Sequence, residues 1–183
     1  MAHRKFFDRF GPYSLGELAA LSDSALNNSG LEGLIIEDIA TLENAGENEL
    51  SFLDNKVYLD AFKSSKAGAA VVMARYAEIA PKGMALILSE EPYKTFALIA
   101  QAFYPRPQPI AGLSNAAIVE VGAVVGTDCQ VDAGAVVVAG VELGARCIVG
   151  ANATIGPSVV LGDDCFVGAN VSLSHCEIGD RVT

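Results

Sequence analysis

The strongest constraint on the fold is a six-residue repeat in the C-terminal part of the chain. From Leu113 onward, the first residue of twelve successive hexads is always Leu, Ile or Val, and only the eleventh hexad is one residue short. The next position is Gly in seven of the twelve hexads. This period fits neither an α-helix nor a simple hairpin array and is typical of a β-helix with one short strand per hexad. The lead residues are Leu113, Val119, Val125, Val131, Val137, Leu143, Val149, Ile155, Leu161, Val167, Leu173 and Ile178.

Three hexads make one coil of 18 residues, so residues 18 apart should stack at about 4.7–4.9 Å. The glycine after the lead residue is predicted to allow the bend, because glycine accepts a positive φ at little cost. Cys129, Cys147 and Cys165 then form one vertical file. A file of thiols could hold a metal or act in redox chemistry, or it could be a column of small apolar residues. Without a CxxC motif or a histidine partner we favour packing, and expect neither a metal nor a cofactor.

The composition changes at about Gly112. Residues 1–112 hold ten of the twelve Lys and Arg and twelve of the thirteen aromatic residues, whereas residues 113–183 hold ten of the eighteen Gly and all four Cys. A proline-rich stretch, Pro105 to Pro109, lies at the change and predicts an extended connector. We therefore predict a small α/β domain over residues 1–104, a linker over 105–112 and a β-helix over 113–183.

Strands and helices alternate in the first part. Ser14 and Glu17 form a capping box for one helix, Asp54 is placed to cap a second that buries Val57, Ala61 and Phe62, and Pro92 suits the first turn of a third. Phe96, Ile99, Ala100 and Phe103 give the third helix an apolar face. Short apolar runs predict strands at residues 34–36, 50–53, 69–73 and 84–88.

Charge and hydropathy exclude several classes of protein. The net charge of −10 is unlike the basic footprint of a nucleic-acid-binding protein. The sequence has no run of 18 apolar residues that would predict a membrane span, and residues 1–13 lack the apolar core of a secretory signal. Together with four cysteines expected to be reduced, these features predict a cytoplasmic protein.

Phe52, Asn55 and Tyr58 lie three residues apart and form a candidate nucleobase site. Two aromatic faces can stack on a flat ring, and a carboxamide offers a donor and an acceptor that match the edge of uracil. The alternative is structural: Phe52 in the core, Asn55 at a helix N-terminus and Tyr58 half-exposed. Spacing alone favours the structural alternative.

The two parts together resemble a known family. The hexads look like the left-handed β-helix of the hexapeptide-repeat acyltransferases. With the Phe52-x-x-Asn55-x-x-Tyr58 motif, the stretches Gly68–Met73 and Glu91–Phe96 and the proline-rich connector, the chain resembles the UDP-3-O-(3-hydroxyacyl)glucosamine N-acyltransferases of lipid A biosynthesis.

The resemblance implies that Phe52, Asn55 and Tyr58 hold uridine. It also implies a homotrimer that transfers a 3-hydroxyacyl chain from acyl carrier protein to the 2-amine of UDP-3-O-acyl-glucosamine. The family's general base is a histidine, which we expect beyond Thr183, so this chain is expected to be an inactive fragment of a longer protein. His175 lies in the shortened hexad and is not assigned as the base, and His3 is expected to belong to a disordered terminus.

Partners and alternatives stay open at this stage. Acyl carrier protein is acidic, but residues 113–183 offer only Arg146 and Arg181 as cations. Lys56, Lys63 and Lys66 could favour a diphosphate or simply form a solvated helix face. The alternative functions are another hexapeptide-repeat acyltransferase or acetyltransferase that uses CoA, or a non-catalytic β-helix scaffold.

Overall fold

The computed structural model describes residues 6–183 and divides into two compact units, the first ending at Arg106 and the second beginning at Pro107. The division falls inside the predicted linker, while the predicted boundaries 1–104, 105–112 and 113–183 remain a prediction. His3 lies outside the described residues.

The N-terminal unit is an α/β domain, as predicted. Its main sheet has the order β2-β7-β6-β5-β4, in which β2 is antiparallel to β7 and the other pairs are parallel; β1 and β3 form a separate antiparallel pair. Short 3₁₀ helices span Ser29–Leu31, Lys56–Tyr58 and Ala74–Ile79. The strands and α-helices are β1 (Tyr13–Ser14), α1 (Leu15–Leu21), β2 (Ala25–Leu26), β3 (Ile35–Ile36), β4 (Asp38–Ile39), β5 (Glu49–Leu53), α2 (Leu59–Ser64), β6 (Ala69–Val72), β7 (Ala85–Leu88) and α3 (Pro92–Phe103).

Both faces of this sheet are buried, which explains why its inner strands are continuous apolar runs. Alternate residues of β5 point to opposite faces, so Leu50 joins the core beneath α1 and α3, whereas Leu53 joins a second core that contains Phe62 of α2. The capping box of α1 is present: the Glu17 carboxylate accepts from the Ser14 backbone N–H at 2.7 Å, and the Glu17 N–H donates to Ser14 Oγ.

The apolar face of α3 is rotated from the predicted one. The helix begins at Pro92 as predicted, and Ile99 and Phe103 are buried. Phe96 and Ala100 are only half-buried, and the other buried positions are Pro92 and Thr95. The shift leaves Phe96 at the margin of the core, within reach of β5.

The prediction for the segment after β5 is wrong in two respects. Asn55, rather than Asp54, caps the segment, because its Oδ1 accepts from the Val57 N–H at 3.0 Å. The first turn, Lys56–Tyr58, is a 3₁₀ helix, which changes the angular spacing of its side chains and leaves Val57 80% exposed instead of buried. Phe62 is fully buried, as predicted.

One buried carboxylate ties distant parts of the N-terminal unit together. Asp38 is 2% exposed, and it accepts from Tyr104 Oη at 2.7 Å and pairs with Arg9 at 3.1 Å. The Ile39 N–H donates to the same carboxylate at 2.8 Å. These contacts satisfy a charge that would otherwise be costly to bury.

The second unit is a left-handed β-helix, as the repeat predicted for the architecture and the family resemblance for the handedness. Each hexad contributes a two-residue strand, and the strands form three parallel sheets in the orders β8-β11-β14-β17, β9-β12-β15-β18 and β10-β13-β16-β19. The strands are β8 (Gly112–Leu113), β9 (Ile118–Val119), β10 (Val124–Val125), β11 (Gln130–Val131), β12 (Val136–Val137), β13 (Glu142–Leu143), β14 (Ile148–Val149), β15 (Thr154–Ile155), β16 (Val160–Leu161), β17 (Phe166–Val167), β18 (Ser172–Leu173) and β19 (Glu177–Ile178).

The register follows the 18-residue coil. Val131 pairs with Val149 and Val149 with Val167, and the shortened hexad reduces the spacing to 17 between Val160 and Glu177. The lead aliphatics from Val131 to Val167 are buried and form one continuous core with the fifth-position residues. The repeat thus predicts strands, register and core together.

The glycine after the lead residue is needed for a reason other than the predicted one. None of the seven has a positive φ; the left-handed conformation occurs instead at the fourth position of ten hexads, and at His175 in the shortened one. Gly150 is required because the next coil approaches closely: a Cβ there would lie 2.7 Å from the Ala169 backbone nitrogen.

Candidate functional site

Phe52, Asn55 and Tyr58 line one cleft of about 390 Å³ near the carboxyl end of β5. Phe52 lies within the strand, Asn55 caps the segment that follows, and Tyr58 ends the 3₁₀ turn. The structure therefore brings the three predicted residues together. The complete lining is Thr41, Leu42, Glu43, Ser51, Phe52, Asp54, Asn55, Tyr58 and Tyr93.

The aromatic rings of this cleft are ordered by contacts with α3. Phe52 is stacked on Phe96, with ring centroids 4.3 Å apart and planes 24° apart. Tyr93 meets Phe52 in an edge-to-face contact with centroids 5.9 Å apart. Tyr58 is 53% exposed. Phe52 thus has fixed neighbours, while the Tyr58 ring has a large accessible surface.

The Asn55 amide is committed at its oxygen only. Oδ1 accepts from the Val57 N–H, which fixes the side chain at the start of the 3₁₀ helix. The Nδ2 group takes no part in this cap, so its two hydrogens can be donated to another acceptor. Asn55 therefore does stand at a helix N-terminus, as the structural alternative predicted, and its oxygen is used there. Its N–H₂ group can still donate to a ligand.

The charges of the cleft are negative. Glu43 and Asp54 are the ionisable acids of the lining, and no Lys or Arg occurs among the nine lining residues. Lys56, Lys63 and Lys66 are exposed outside the lining, and Lys63 lies 3.9 Å from Asp60. Such a cleft suits a neutral ring with hydrogen-bond donors better than a phosphate group.

Tyr93, Thr41 and Glu43 were missed at the sequence level. The signal for Tyr93 was available, since Tyr93 and Phe96 lie one helical turn apart and so share a side of α3. No sequence signal joins Thr41 or Glu43 to β5, because the loop before that strand is brought to the cleft by the tertiary fold.

His175 and the cysteine candidates belong to the β-helix unit. His175 is exposed on a turn of the β-helix with φ 55°. Cys129, Cys147 and Cys165 are buried in one file, and each thiol donates to a glycine carbonyl at 3.0–3.1 Å. Burial raises the pKa of Cys147 to about 11, which makes it a poor nucleophile. Over residues 6–183, no group of three or more His, Cys, Asp or Glu could hold a metal ion.

The two arginines of the repeat region are engaged within it. Arg146 forms a bidentate pair with Asp164, both contacts at 2.7 Å, and lies 3.4 Å from Asp163 on the same turn. This pairing raises the pKa of Arg146 and lowers that of Asp164. Arg181 also has interactions of its own. These two arginines are therefore not free to form a basic docking surface for an acidic partner.

A larger groove of about 540 Å³ lies near the start of α3 and the end of β7. Four of its polar side chains are paired with one another: Lys94 contacts Glu91 at 2.9 Å, and the hydroxyls of Ser89 and Thr95 are 2.8 Å apart. Its lining contains no aromatic ring. The smaller cleft is therefore the better candidate for recognition of a flat ligand.

Comparison with known proteins identifies the class first. Residues 122–157 match the bacterial transferase hexapeptide (six repeats), and residues 140–175 match the hexapeptide repeat of succinyl-transferase. The β-helix is thus that of the hexapeptide-repeat transferases.

The N-terminal unit is similar to one family in particular. Residues 34–102 match the UDP-3-O-(3-hydroxymyristoyl) glucosamine N-acyltransferase family, LpxD. The N-terminal unit thus resembles this family, and the β-helix resembles the hexapeptide repeats of bacterial transferases.

Relatives named UDP-3-O-acylglucosamine N-acyltransferase support the assignment. The protein of Parvibaculum lavamentivorans is 47% identical over 105 residues, which are 57% of this chain and 30% of that protein. A protein from Legionella pneumophila strain Paris, numbered 2 in its name, is 36% identical over 134 residues, or 73% of this chain and 39% of that protein. The protein of Methylobacterium sp. strain 4-46 is 35% identical over 133 residues, or 72% and 38%. The matches thus span 30% to 39% of these relatives.

The helices of the described residues are short, and α3 has 12 residues. Within the described part of the chain, none combines the length and the apolar character that crossing a bilayer requires.

Proposed function

We propose that the protein takes part in lipid A biosynthesis as a UDP-3-O-acylglucosamine N-acyltransferase and that this chain supplies its nucleotide-binding domain. The whole protein would transfer a 3-hydroxyacyl chain from acyl carrier protein to the 2-amine of UDP-3-O-acyl-glucosamine, as a cytoplasmic homotrimer. Support comes from the match of residues 34–102 to this family and from the relatives' shared name.

The observation that carries the proposal is the aromatic cleft with a half-engaged amide. Phe52 is packed on Phe96 and offers its other face, and the exposed Tyr58 ring supplies a second apolar surface. A uracil ring would stack between them. Asn55 Nδ2 would donate to a uracil carbonyl while its oxygen stays on the Val57 N–H.

The acidic lining specifies which part of the nucleotide the cleft would take. Glu43 and Asp54 can accept from the N3–H of uracil or from ribose hydroxyls, but they repel phosphate. The diphosphate and the sugar would extend away from the cleft.

The transfer reaction itself would follow the usual course of amide formation from a thioester. The substrate amine attacks the thioester carbon, a C–N bond forms, the C–S bond breaks and the thiol of the carrier leaves with a proton. A general base would accept the proton of the attacking amine, and backbone N–H groups would stabilise the oxyanion. No residue of this chain is assigned as the base. We accordingly propose that residues 1–183 bind nucleotide without catalysing transfer.

Calorimetric titration of the chain with UMP tests the nucleotide assignment. Stacking on an aromatic side chain contributes about 1–3 kcal/mol per base, so Phe52→Ala and Tyr58→Ala should each weaken binding by about fivefold to a hundredfold. Lys82→Ala, an exposed change outside the cleft, should bind like the wild type. Equal affinity in all four proteins, or binding of CoA in place of UMP, would reject the assignment.

The role of the amide can be separated from its role as a cap. Asp caps a helix as well as Asn does, but it has no N–H₂ group to donate. Asn55→Asp should therefore keep the thermal stability of the unit and lose affinity for UMP, whereas Asn55→Ala should lose both. Unchanged affinity in Asn55→Asp would show that Nδ2 makes no contact with the base. Turnover by residues 1–183 with an acyl carrier protein thioester would contradict the proposed inactivity.

A further inference from the structure

The first turn of α3 places an exposed aromatic residue in the candidate cleft. Tyr93 is 67% exposed, so burial in the core does not account for its position. Its ring contacts Phe52 edge-to-face and lines the same cleft as Asn55 and Tyr58. Phe96, one turn later, covers one face of Phe52 in a stacked arrangement. Two residues of one helix therefore hold the ring of Phe52.

We propose that Tyr93 is a positioning residue of the nucleobase site, whose ring contacts Phe52 edge-to-face and fixes the orientation in which Phe52 stacks on a pyrimidine. The proposal rests on the proposed function and adds a residue to it. Since Phe96 covers one face of Phe52, only the opposite face is left for a ligand. The order of the layers is then Phe96, Phe52, pyrimidine and Tyr58.

The backbone around Tyr93 is held in place by short polar contacts. Ser89 Oγ accepts from the Glu91 N–H at 3.0 Å and lies 2.8 Å from Thr95 Oγ1. Thr95 is buried, so this contact anchors the first turn of α3 to the end of β7. Tyr93 is consequently presented from a fixed turn, and a ring presented in this way restricts the motion of Phe52 before a ligand binds.

We expect UMP affinity to depend on the aromatic ring of Tyr93 and not on its hydroxyl group. Tyr93→Leu should weaken UMP binding about three- to tenfold, the range of a single aromatic pair of about 0.5–1.5 kcal/mol. Tyr93→Phe keeps the ring and should bind within twofold of the wild type. Lys94→Ala changes the neighbouring exposed residue and should leave UMP affinity unchanged.

A double-mutant cycle shows whether Tyr93 acts through Phe52. Calorimetry with UMP is carried out on the wild type, Tyr93→Leu, Phe52→Leu and the double variant, with thermal unfolding measured on each. If Tyr93 positions Phe52, the double variant should lose hardly more affinity than Phe52→Leu alone. A purely structural role would instead lower the unfolding temperature of Tyr93→Leu.

The outcomes separate this proposal from the one on which it rests. Loss of UMP binding in Phe52→Leu, with Tyr93→Leu within twofold of the wild type, overturns the role of Tyr93 and leaves the nucleotide site intact. Losses that multiply in the double variant, or an unfolded Tyr93→Leu, also overturn the positioning role. Failure of the wild type to bind UMP overturns both proposals.

Discussion

The two units of this chain solve the packing problem in opposite ways. The β-helix core is built from small residues and aliphatics such as Ala135, Cys147 and Ile155, each stacked in register on small or aliphatic residues of the neighbouring coils. The α/β core instead contains large aromatic side chains that are not part of a repeat, such as Phe62 and Phe103. The repeat leaves little freedom at any position, since coils approach at strand spacing. The α/β unit has no such repeat, and a cleft can form at the margin of its core. The candidate site is this cleft.

The largest effect on stability is expected when a single methyl group is added between two coils of the β-helix. A Cβ at Gly150 would meet three backbone atoms of the next coil at 2.7–2.9 Å, and backbone cannot move aside as a side chain can. Gly150→Ala should lower the free energy of unfolding by about 3 kcal/mol, in the upper range of overpacking effects. Denaturant unfolding followed by circular dichroism gives the value.

Gly168 provides the matched control for that change. It occupies the same hexad position one coil later, but the nearest atom to a Cβ there is 3.8 Å away. Gly168→Ala should therefore change stability by less than about 1 kcal/mol. Equal losses in both variants would mean that glycine serves the backbone conformation and not the spacing of coils.

The second-largest effect is the loss of stability expected at alkaline pH from the buried file of cysteines. Burial raises the pKa of Cys147 from 9.0 to about 11, so above pH 9 the unfolded chain loses this proton while the folded chain keeps it. The contribution to stability is complete below pH 9 and falls by about 2–3 kcal/mol between pH 9 and 11, at about 1.4 kcal/mol per unit.

Comparison with Cys147→Ala isolates this contribution from other alkaline titrations. The difference in unfolding free energy between wild type and variant should shrink as the pH rises from 9 to 11. Cys176→Ala, at a half-buried position, serves as the control. A difference that stays constant over this range would show that Cys147 ionises freely in the folded chain.

The smallest effect is expected for Tyr76→Phe in the irregular core, and Tyr104→Phe is its counterpart of opposite sign. Tyr76 Oη is buried without a hydrogen-bond partner among the described residues, whereas Tyr104 Oη donates to the buried Asp38. Tyr76→Phe should raise the unfolding free energy by about 1 kcal/mol, because an unsatisfied polar group is removed. Tyr104→Phe should lower it by about 1.5–3 kcal/mol, since a bond to a charged group is lost. Thermal unfolding measures both, and destabilisation by Tyr76→Phe would reveal a partner for that hydroxyl.

The fold of the β-helix could be predicted because the information is local and repeated. A Leu, Ile or Val every six residues specifies strand, inward face and register together, and the missing residue near His175 appears as a 17-residue step. The reason for the glycines could not be predicted, since close approach depends on a coil 18 residues away. Only the structure shows that the residue at the fourth position of the hexad has the positive φ.

The α/β unit was predicted at the level of its elements and less well at their boundaries. The capping box of α1 and the proline at the start of α3 are local signals, and both are confirmed. The start of α2 was misplaced because Asp54 and Asn55 are both good caps by composition. Which of them accepts the Val57 N–H depends on where β5 ends.

The sequence by itself determined the repeat, the parallel coils and the alternation of the first domain, and the resemblance to a known family pointed to the three residues of the candidate site. Only the tertiary structure decided how these residues are used. It packed Phe52 between α3 and the cleft, committed one atom of Asn55 to a cap, and placed Tyr93 from a helix 40 residues away against the same ring. The physical reason is range: periodicity and caps act over a few residues, whereas a cleft depends on contacts between segments that only folding brings together.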